Sequence, residues 1–305
     1  NAITINPGYA DSYERLGAAY RNLDQHEEAL PAYKEFARID FRSPVAHFKL
    51  GVAYSQVNKS RDAIRSFQEA VRWNKEFPEA HYNMGWLFQE LGEPDEALAQ
   101  YQQVVFLDPD NLDAYFHMGE IHEFFSRYSD AISSFNEVIA INPESVKGHA
   151  RLGWNYAKLD QPDKALSEFE EALLIDPNLA ETYYKLGITY GELGRFEEGL
   201  ESLNKARELD PSHFDTILQL GKFNSILGNY QEAAENLNKL LKIAPDSNEE
   251  GLLFGKSLVE LNQFDRALPH LEKAVKHDPS SFEAQFYLGI TLIRLKRITD
   301  AIDPL

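Results

Sequence analysis

Along this chain the apolar residues recur at helical spacing in paired short stripes, and the pairs themselves recur. Between residues 146 and 175, Leu152, Tyr156 and Leu159 form one stripe, and Ala165, Phe169 and Ala172 form a second. Asp160-Gln161-Pro162 separates them, a turn whose proline suits the first turn of the following helix. After the second stripe comes Asp176-Pro177-Asn178, where proline ends one helix and asparagine is placed to cap the next. The pattern predicts two antiparallel helices with short connections, each carrying one apolar face. Such a hairpin cannot bury both faces alone, so it must stack on neighbours.

The neighbours are visible as a period. Glycines stand at 17, 51, 85, 119, 153, 187, 221, 255 and 289, always thirty-four residues apart. Twelve residues further on come Ala29, Ala63, Ala97, Ala131, Ala165, Gly199, Ala233, Ala267 and Ala301. A third phase holds Pro7, Pro109, Pro143, Pro177, Pro211, Pro245 and Pro279. The register has no insertion or deletion. The small residues have a packing reason: a larger side chain at either phase would hold the two helices of a hairpin apart.

Counted from 10, 44, 78, 112, 146, 180, 214, 248 and 282, these units resemble the tetratricopeptide repeat family. The family's Leu-Gly at places 7 and 8 appears as Leu16-Gly17, Leu50-Gly51, Leu152-Gly153, Leu186-Gly187, Leu220-Gly221 and Leu288-Gly289. Its large residue at place 4 is Tyr13, Tyr115 and Tyr183, and its aromatic at place 11 is Tyr20, Tyr54, Phe88, Tyr156 and Tyr190. The aromatic at place 24 is Tyr33, Phe67, Tyr101, Phe135 and Phe169. The resemblance implies an all-α fold: a right-handed superhelical solenoid of helix-turn-helix repeats, with about eight full units and partial units at both ends. It implies one solenoid over residues 1–305. Residues 1–5 read as the tail of an earlier second helix and 301–305 as the start of another, so a longer array is expected. Phe41 and Lys75 replace the place-32 proline, with Pro44 and Pro78 opening the next helices instead. Pro31 and Pro269 fall inside second helices, where slight kinks are expected.

Chemistry enters mainly by exclusion. No cysteine is present, which removes disulfides, thiolate metal sites and cysteine nucleophiles together. There is no phosphate-binding loop, dinucleotide glycine signature or nucleophile elbow. Gly187, Gly191 and Gly194 have the wrong spacing and fall on framework or turn places. His117 and His122 are five apart, on different sides of a helix, and make a poor metal pair. His47, His81 and His149 recur at place 4 and read as packing residues between helices. Glu27-Glu28, Glu170-Glu171 and Glu197-Glu198 read as solvated faces of second helices. No enzymatic activity, cofactor or metal is expected. A net charge of −19 repels nucleic acid and anionic lipid. No apolar run approaches the roughly 18 residues of a membrane span. The partner class left is protein or peptide, and a cytoplasmic setting is expected.

The resemblance places the binding groove on the first helices, at places 2, 5, 6, 9, 12 and 13. Those helices are together close to neutral, so the acidity lies mostly on second helices and turns. The first helix of the fifth unit departs from this, holding Lys147, Arg151 and Lys158 with no acid. Around it, groove places carry Tyr82, Trp86, Phe116, His117, Trp154, Tyr184 and Lys185. Two readings stand. Lys147 and Arg151 pair with Asp113 or Glu181 of adjacent units, or they accept a carboxylate or acidic segment while the rings supply contact area. Family members that clasp acidic C-termini of chaperones use a basic pair at places 2 and 6, which Lys147 and Arg151 match. The rest of that clamp fails, since His117, Tyr82 and Trp86 stand where asparagine and lysine are wanted. A second groove segment is apolar: Leu218, Ile226, Leu252, Leu253, Val259, Phe286, Tyr287, Ile290 and Ile293. Its alternative occupant is further sequence of the same protein folding back.

The expected function is a non-catalytic interaction scaffold holding a partner in its groove. Two alternatives are a targeting array of a larger enzyme and an architectural subunit contacted on its outer face. Transferases that add N-acetylglucosamine carry such arrays with asparagine at place 6, where only Asn83 occurs in this chain.

Overall fold

The computed structural model describes residues 8–243 and 247–297, which form seventeen helices and no strand. First and second helices alternate. The first unit's pair is α1 (Ala10–Asn22) and α2 (His26–Ile39), followed by α3 (Pro44–Gln56) with α4 (Ser60–Trp73). Then come α5 (Pro78–Glu90) with α6 (Pro94–Leu107), and α7 (Leu112–Phe124) with α8 (Tyr128–Ile141). The next pairs are α9 (Val146–Lys158) with α10 (Pro162–Ile175), and α11 (Ala180–Glu192) with α12 (Phe196–Leu209). After α13 (Phe214–Ile226) with α14 (Tyr230–Ile243) and α15 (Asn248–Glu260) with α16 (Phe264–His277), α17 (Phe282–Arg294) is the last. The segments expected at 1–5 and 301–305 lie outside the described residues.

The chain divides into two compact bodies, residues 1–148 and 149–305. In the first, each helix from α1 to α8 packs on the next. In the second, the same holds from α10 to α17, and the first helices α11, α13, α15 and α17 also touch in succession. Both are stacks of hairpins whose cores lie between helices, as one-faced helices require.

One contact repeats through both bodies. A methyl carbon added at Gly17 would sit 2.8 Å from the Tyr33 ring, and at Gly51 2.6 Å from Phe67. The same test gives 2.8 Å from Tyr101 at Gly85, 2.5 Å from Phe135 at Gly119 and 2.7 Å from Phe169 at Gly153. From Gly187 onward the ring becomes a leucine, with Leu203, Leu237 and Leu271 at 2.7, 2.8 and 2.9 Å from Gly187, Gly221 and Gly255. The place-24 side chain thus fills the hole left by the place-8 glycine, and all eight are essentially fully buried. Place 20 is the second tight phase, with Ala29, Ala63, Ala97, Ala131, Ala165, Ala233 and Ala267 all at 0% exposure. Gly199 breaks that phase for a visible reason. The Phe223 ring, from the next first helix, would lie 2.7 Å from a methyl at Gly199 and would also clash with one at Gly191. Three departures from the repeat are therefore one packing solution.

The hairpin turn is equally uniform. Place 15 is left-handed in all nine units: Asp24, Asn58, Gly92, Ser126, Asp160, Gly194, Gly228, Asn262 and Lys296 have φ between 56 and 78°. Glycine, asparagine and aspartate dominate because they tolerate that region. Proline opens helices α3, α5 and α10 at Pro44, Pro78 and Pro162, as the sequence predicts, and α6 at Pro94 in addition. One cap is corrected. Asn178 does not cap α11; its backbone N–H donates to Asp176 Oδ1 at 2.9 Å, and Leu179 is the N-cap. The capping place is one residue later, where Asn111 and Ser281 accept from Ala114 and Ala284. Pro31 and Pro269 are accommodated inside α2 and α16.

Gly199→Ala is expected to cost about 1–3 kcal/mol through overpacking against Phe223. Combined with Phe223→Leu the penalty should shrink, giving a coupling of about 0.5–3 kcal/mol in a chemical-denaturation cycle. Additive effects would show that the glycine and the ring do not share a site.

Candidate functional site

Trp154 of α9 is the centre of the basic cluster in residues 149–305. Lys158, one turn further along the same helix, places Nζ 4.2 Å from the centroid of its ring. Lys185 of α11 places Nζ 4.8 Å from the same centroid. Two ammonium groups thus converge on one half-buried indole, an arrangement favoured by the ring quadrupole. Lys185 is matched by Glu181 at 3.4 Å, and Glu181 also lies 3.8 Å from His213 Nε2. Tyr184 packs edge-to-face on His213 at 4.9 Å, and burial pushes its phenol up, with Asp215 and Glu181 adding to the shift. Arg151 is half-buried on the same helix, its carbonyl accepting from Asn155 Nδ2 at 2.8 Å. The structure thus brings Trp154, Lys158 and Lys185 into contact, with Tyr184 beside Lys185 in sequence on α11.

The remaining predicted residues belong to residues 1–148 and a different electrostatic setting. Tyr82 Oη and His117 Nε2 are 3.2 Å apart, and His117 Nδ1 lies 3.2 Å from Glu120. His117 also stacks on the buried Tyr101 at 5.3 Å, so it is a strut between hairpins. Phe116 packs on Phe135 at 5.5 Å, Trp86 is exposed, and Lys147 is exposed at the end of this body. Beside Tyr82 lies a cleft of about 330 Å³ whose lining includes Phe48, Glu79, Asp108 and Asp113. Three carboxylates make it a poor setting for an acidic ligand. The pair Glu14–Lys49 spans neighbouring first helices at the same spacing as Tyr82 and His117, from place 5 to place 6.

The apolar segment is smaller than the sequence pattern implied. Leu218, Leu252, Leu253, Tyr287 and Ile290 are half-buried against the core of the last hairpins, and Val259 is buried within it. Val259 therefore leaves the surface. Ile226, Phe286 and Ile293 remain exposed, and so does Phe282, which the pattern did not single out. A cleft of about 350 Å³ runs over Ile226, Leu252 and Leu253. It is bordered by two ion pairs of identical spacing, Lys222–Glu249 and Lys256–Glu283, each 2.7 Å. A signal for them was present: lysine at place 9 and glutamate at place 2 of the following unit, twenty-seven residues on.

Of the place-4 histidines, His81 and His149 are buried between helices and His47 is half-buried. His81 Nδ1 lies 2.8 Å from Gln100 and His149 Nδ1 2.7 Å from Glu168, while His47 Nε2 is 2.9 Å from the Phe41 carbonyl. No group of three metal-ligating side chains occurs among the described residues. His122 Nδ1 is buried without a hydrogen-bond partner, and burial lowers the His122 pKa. Burial also lowers His270, with Lys273 and Arg266 acting in the same direction. A histidine depressed in the folded state costs stability once the unfolded chain protonates. Stability is therefore expected to fall as pH drops below about 6.5 toward the lowered folded values. Melting curves of His270→Gln should show a shallower fall over that window; an unchanged slope would place the titration elsewhere.

Hairpins of equal length, closed by a large side chain seated on a glycine and stacked in succession within each body, define the class of helical repeat scaffolds. Models of the tetratricopeptide repeat match residues 10–42, 45–77, 82–146, 180–213, 214–247 and 252–305, and a further TPR repeat model matches 155–194. The chain belongs to the tetratricopeptide repeat family, and its general role is that of a protein-interaction scaffold. Among solved structures, the C-terminal part of a TPR repeat-containing protein from Cytophaga hutchinsonii aligns with TM-score 0.65 at 18% identity, over 77% of this chain and 97% of that one. YrrB, described as a TPR protein with an unusual peptide-binding site, aligns with TM-score 0.56 at 20% identity, over 61% and 96%. MamA aligns with TM-score 0.52 at 24% identity, over 55% and 92%. At these identities the likeness concerns the fold. No curated protein matches the sequence. No helix among the described residues is long and apolar enough to cross a membrane.

Proposed function

We propose that residues 1–305 act as one non-catalytic array whose inner face, at α9 and α11, holds an acidic or C-terminal segment of a protein partner. The gapless register of the place-8 glycines supports a single array. The observation that carries the site is the convergence of Lys158 and Lys185 on Trp154, at 4.2 and 4.8 Å. Lys185 has a carboxylate neighbour in Glu181, whereas Lys158 stands exposed one turn beyond the ring. A partner carboxylate would meet a fixed cation there, and its apolar neighbour would meet the indole. Arg151, one turn before, adds a guanidinium that can grip a carboxylate bidentately, and Lys147 adds charge. Tyr184 supplies a further ring. Tyr82, Trp86, Phe116 and His117 belong to the acidic part of the chain and have the weaker case.

The apolar cleft over Ile226, Leu252 and Leu253 is the second contact segment, taking apolar side chains of the same partner, with Leu218, Phe286, Tyr287 and Ile290 at its margins. YrrB's peptide-binding site lends support by fold alone. The family's members are typically non-catalytic, which favours the scaffold over an enzymatic role.

A short peptide with a free C-terminal carboxylate and two further acidic residues should bind with an affinity that falls as salt rises. Lys158→Glu and Lys147→Glu are expected to weaken binding with little change in thermal midpoint, and Arg151→Glu to weaken it as well. Unchanged affinity with a lowered midpoint would make these residues struts between repeats and remove the site.

A further inference from the structure

A second cluster of rings and cations stands apart from the proposed site on α9 and α11. Phe41 lies in the connection between α2 and α3, and Trp73 is the last residue of α4. The two rings meet edge-to-face at 6.5 Å, yet Phe41 is 57% and Trp73 41% exposed. The Arg42 guanidinium sits 5.3 Å from the Phe41 centroid and 5.8 Å from that of Trp73. Arg72 approaches Trp73 from the other side of the sequence at 6.0 Å.

The repeat shows that none of this is framework. At the phase of Phe41 the later units have Lys75, Pro109, Pro143, Pro177, Pro211, Pro245 and Pro279. At the phase of Arg42 they have Glu76, Asp110, Glu144, Asn178, Ser212, Asp246 and Ser280, so Arg42 is the sole basic residue there. At the phase of Trp73 stand aliphatic residues and His277. Hairpin stacking demands no ring or cation at these phases, because the other units stack without them. Leaving two large rings in water has no folding return, and the cluster lacks the usual local neutralisation. Arg38 and Arg72 are matched by Glu35 at 2.8 Å and Glu69 at 3.5 Å, whereas no carboxylate lies within ion-pair distance of Arg42 among the described residues.

We infer that Phe41, Arg42 and Trp73 form a docking surface on the connections after the second helices, and that its occupant is an acidic, apolar-containing segment of a partner protein. The charge decides the occupant. A guanidinium held over two ring faces presents its donors without a carboxylate of its own, so an incoming Asp or Glu gains charge-assisted bonds at little ordering cost. The ring edges and faces left open accept the segment's apolar side chains. The net charge of −19 opposes an acidic partner only over a Debye length of about 8 Å, so the attraction must be local, which a stacked arginine provides.

Trp73 is its own reporter. The chain has three tryptophans, and Trp86→Phe with Trp154→Phe leaves Trp73 as the one indole reporter. The probe is a ten-residue peptide with blocked ends, alternating Asp and Leu around one Phe, and the control is its Asn-for-Asp counterpart. Trp73 emission should change saturably with the acidic peptide. The Asn peptide should bind about tenfold more weakly, as should the acidic peptide to Arg42→Gln, with the thermal midpoint unchanged. Arg151→Glu should leave this titration untouched, so failure at one surface is separable from failure at the other. No saturable change, equal binding of the Asn peptide, or an unaffected Arg42→Gln would overturn the inference. Quenching by a short single-stranded oligonucleotide but not by the peptide would likewise overturn it and assign the patch to nucleobase stacking.

Discussion

Everything in this molecule is spaced by the hole at place 8. A helix surface with no side chain at Gly51 or Gly119 lets the Phe67 or Phe135 ring of its partner helix seat against backbone, with no room for even a methyl group. That contact sets the distance within each hairpin, and the alanine phase beside it keeps the same approach along the second helix. Since each helix has one apolar face, hairpin spacing then fixes how neighbours stack, and with it which residues of the first helices stay exposed. The exchange of rings for Leu203, Leu237 and Leu271 keeps the hole filled with a smaller knob. Where a larger ring, Phe223, intrudes, two glycines make room.

On this frame the chemistry is carried by places that packing leaves free. Near Tyr82 they carry carboxylates around an aromatic floor, near Trp154 they carry cations over a ring, and near Leu252 they carry aliphatic side chains fenced by ion pairs. A repeat protein can vary these places unit by unit at little cost to stability, because contacts are made only with neighbouring repeats. Gly199 departs from its phase to make room for Phe223, whereas Phe41, Arg42 and Trp73 depart from theirs with no packing neighbour that requires it.

The fold was legible because it is periodic. A thirty-four-residue register repeated without insertion fixes hairpin length, turn place and the small-residue contact, and the turns at Asp160 and Gly194 fall where the spacing put them. What was not legible depends on side-chain direction in three dimensions. Asn178 reads as a cap by residue type, but the chain leaves α10 through an Asp176 turn that moves the cap one residue on. Val259 shares a helix with groove residues yet turns into the core. His117 reads as a groove residue, but Tyr82, Tyr101 and Glu120 already occupy it. The ion pairs from Lys222 and Lys256 follow a spacing of twenty-seven rather than thirty-four, so they cross between units and escape a search confined to one phase.

Binding at Trp154 and its two lysines is tested most directly by where a partner protects the backbone. Hydrogen exchange should be measured residue by residue with and without the free-carboxylate acidic peptide. Slowing is expected in α9 and α11, strongest around Arg151–Lys158 and Tyr184–Lys185, while the second helices α10 and α12 exchange as before. Protection centred on α10 and α12, or none in α9, would contradict it.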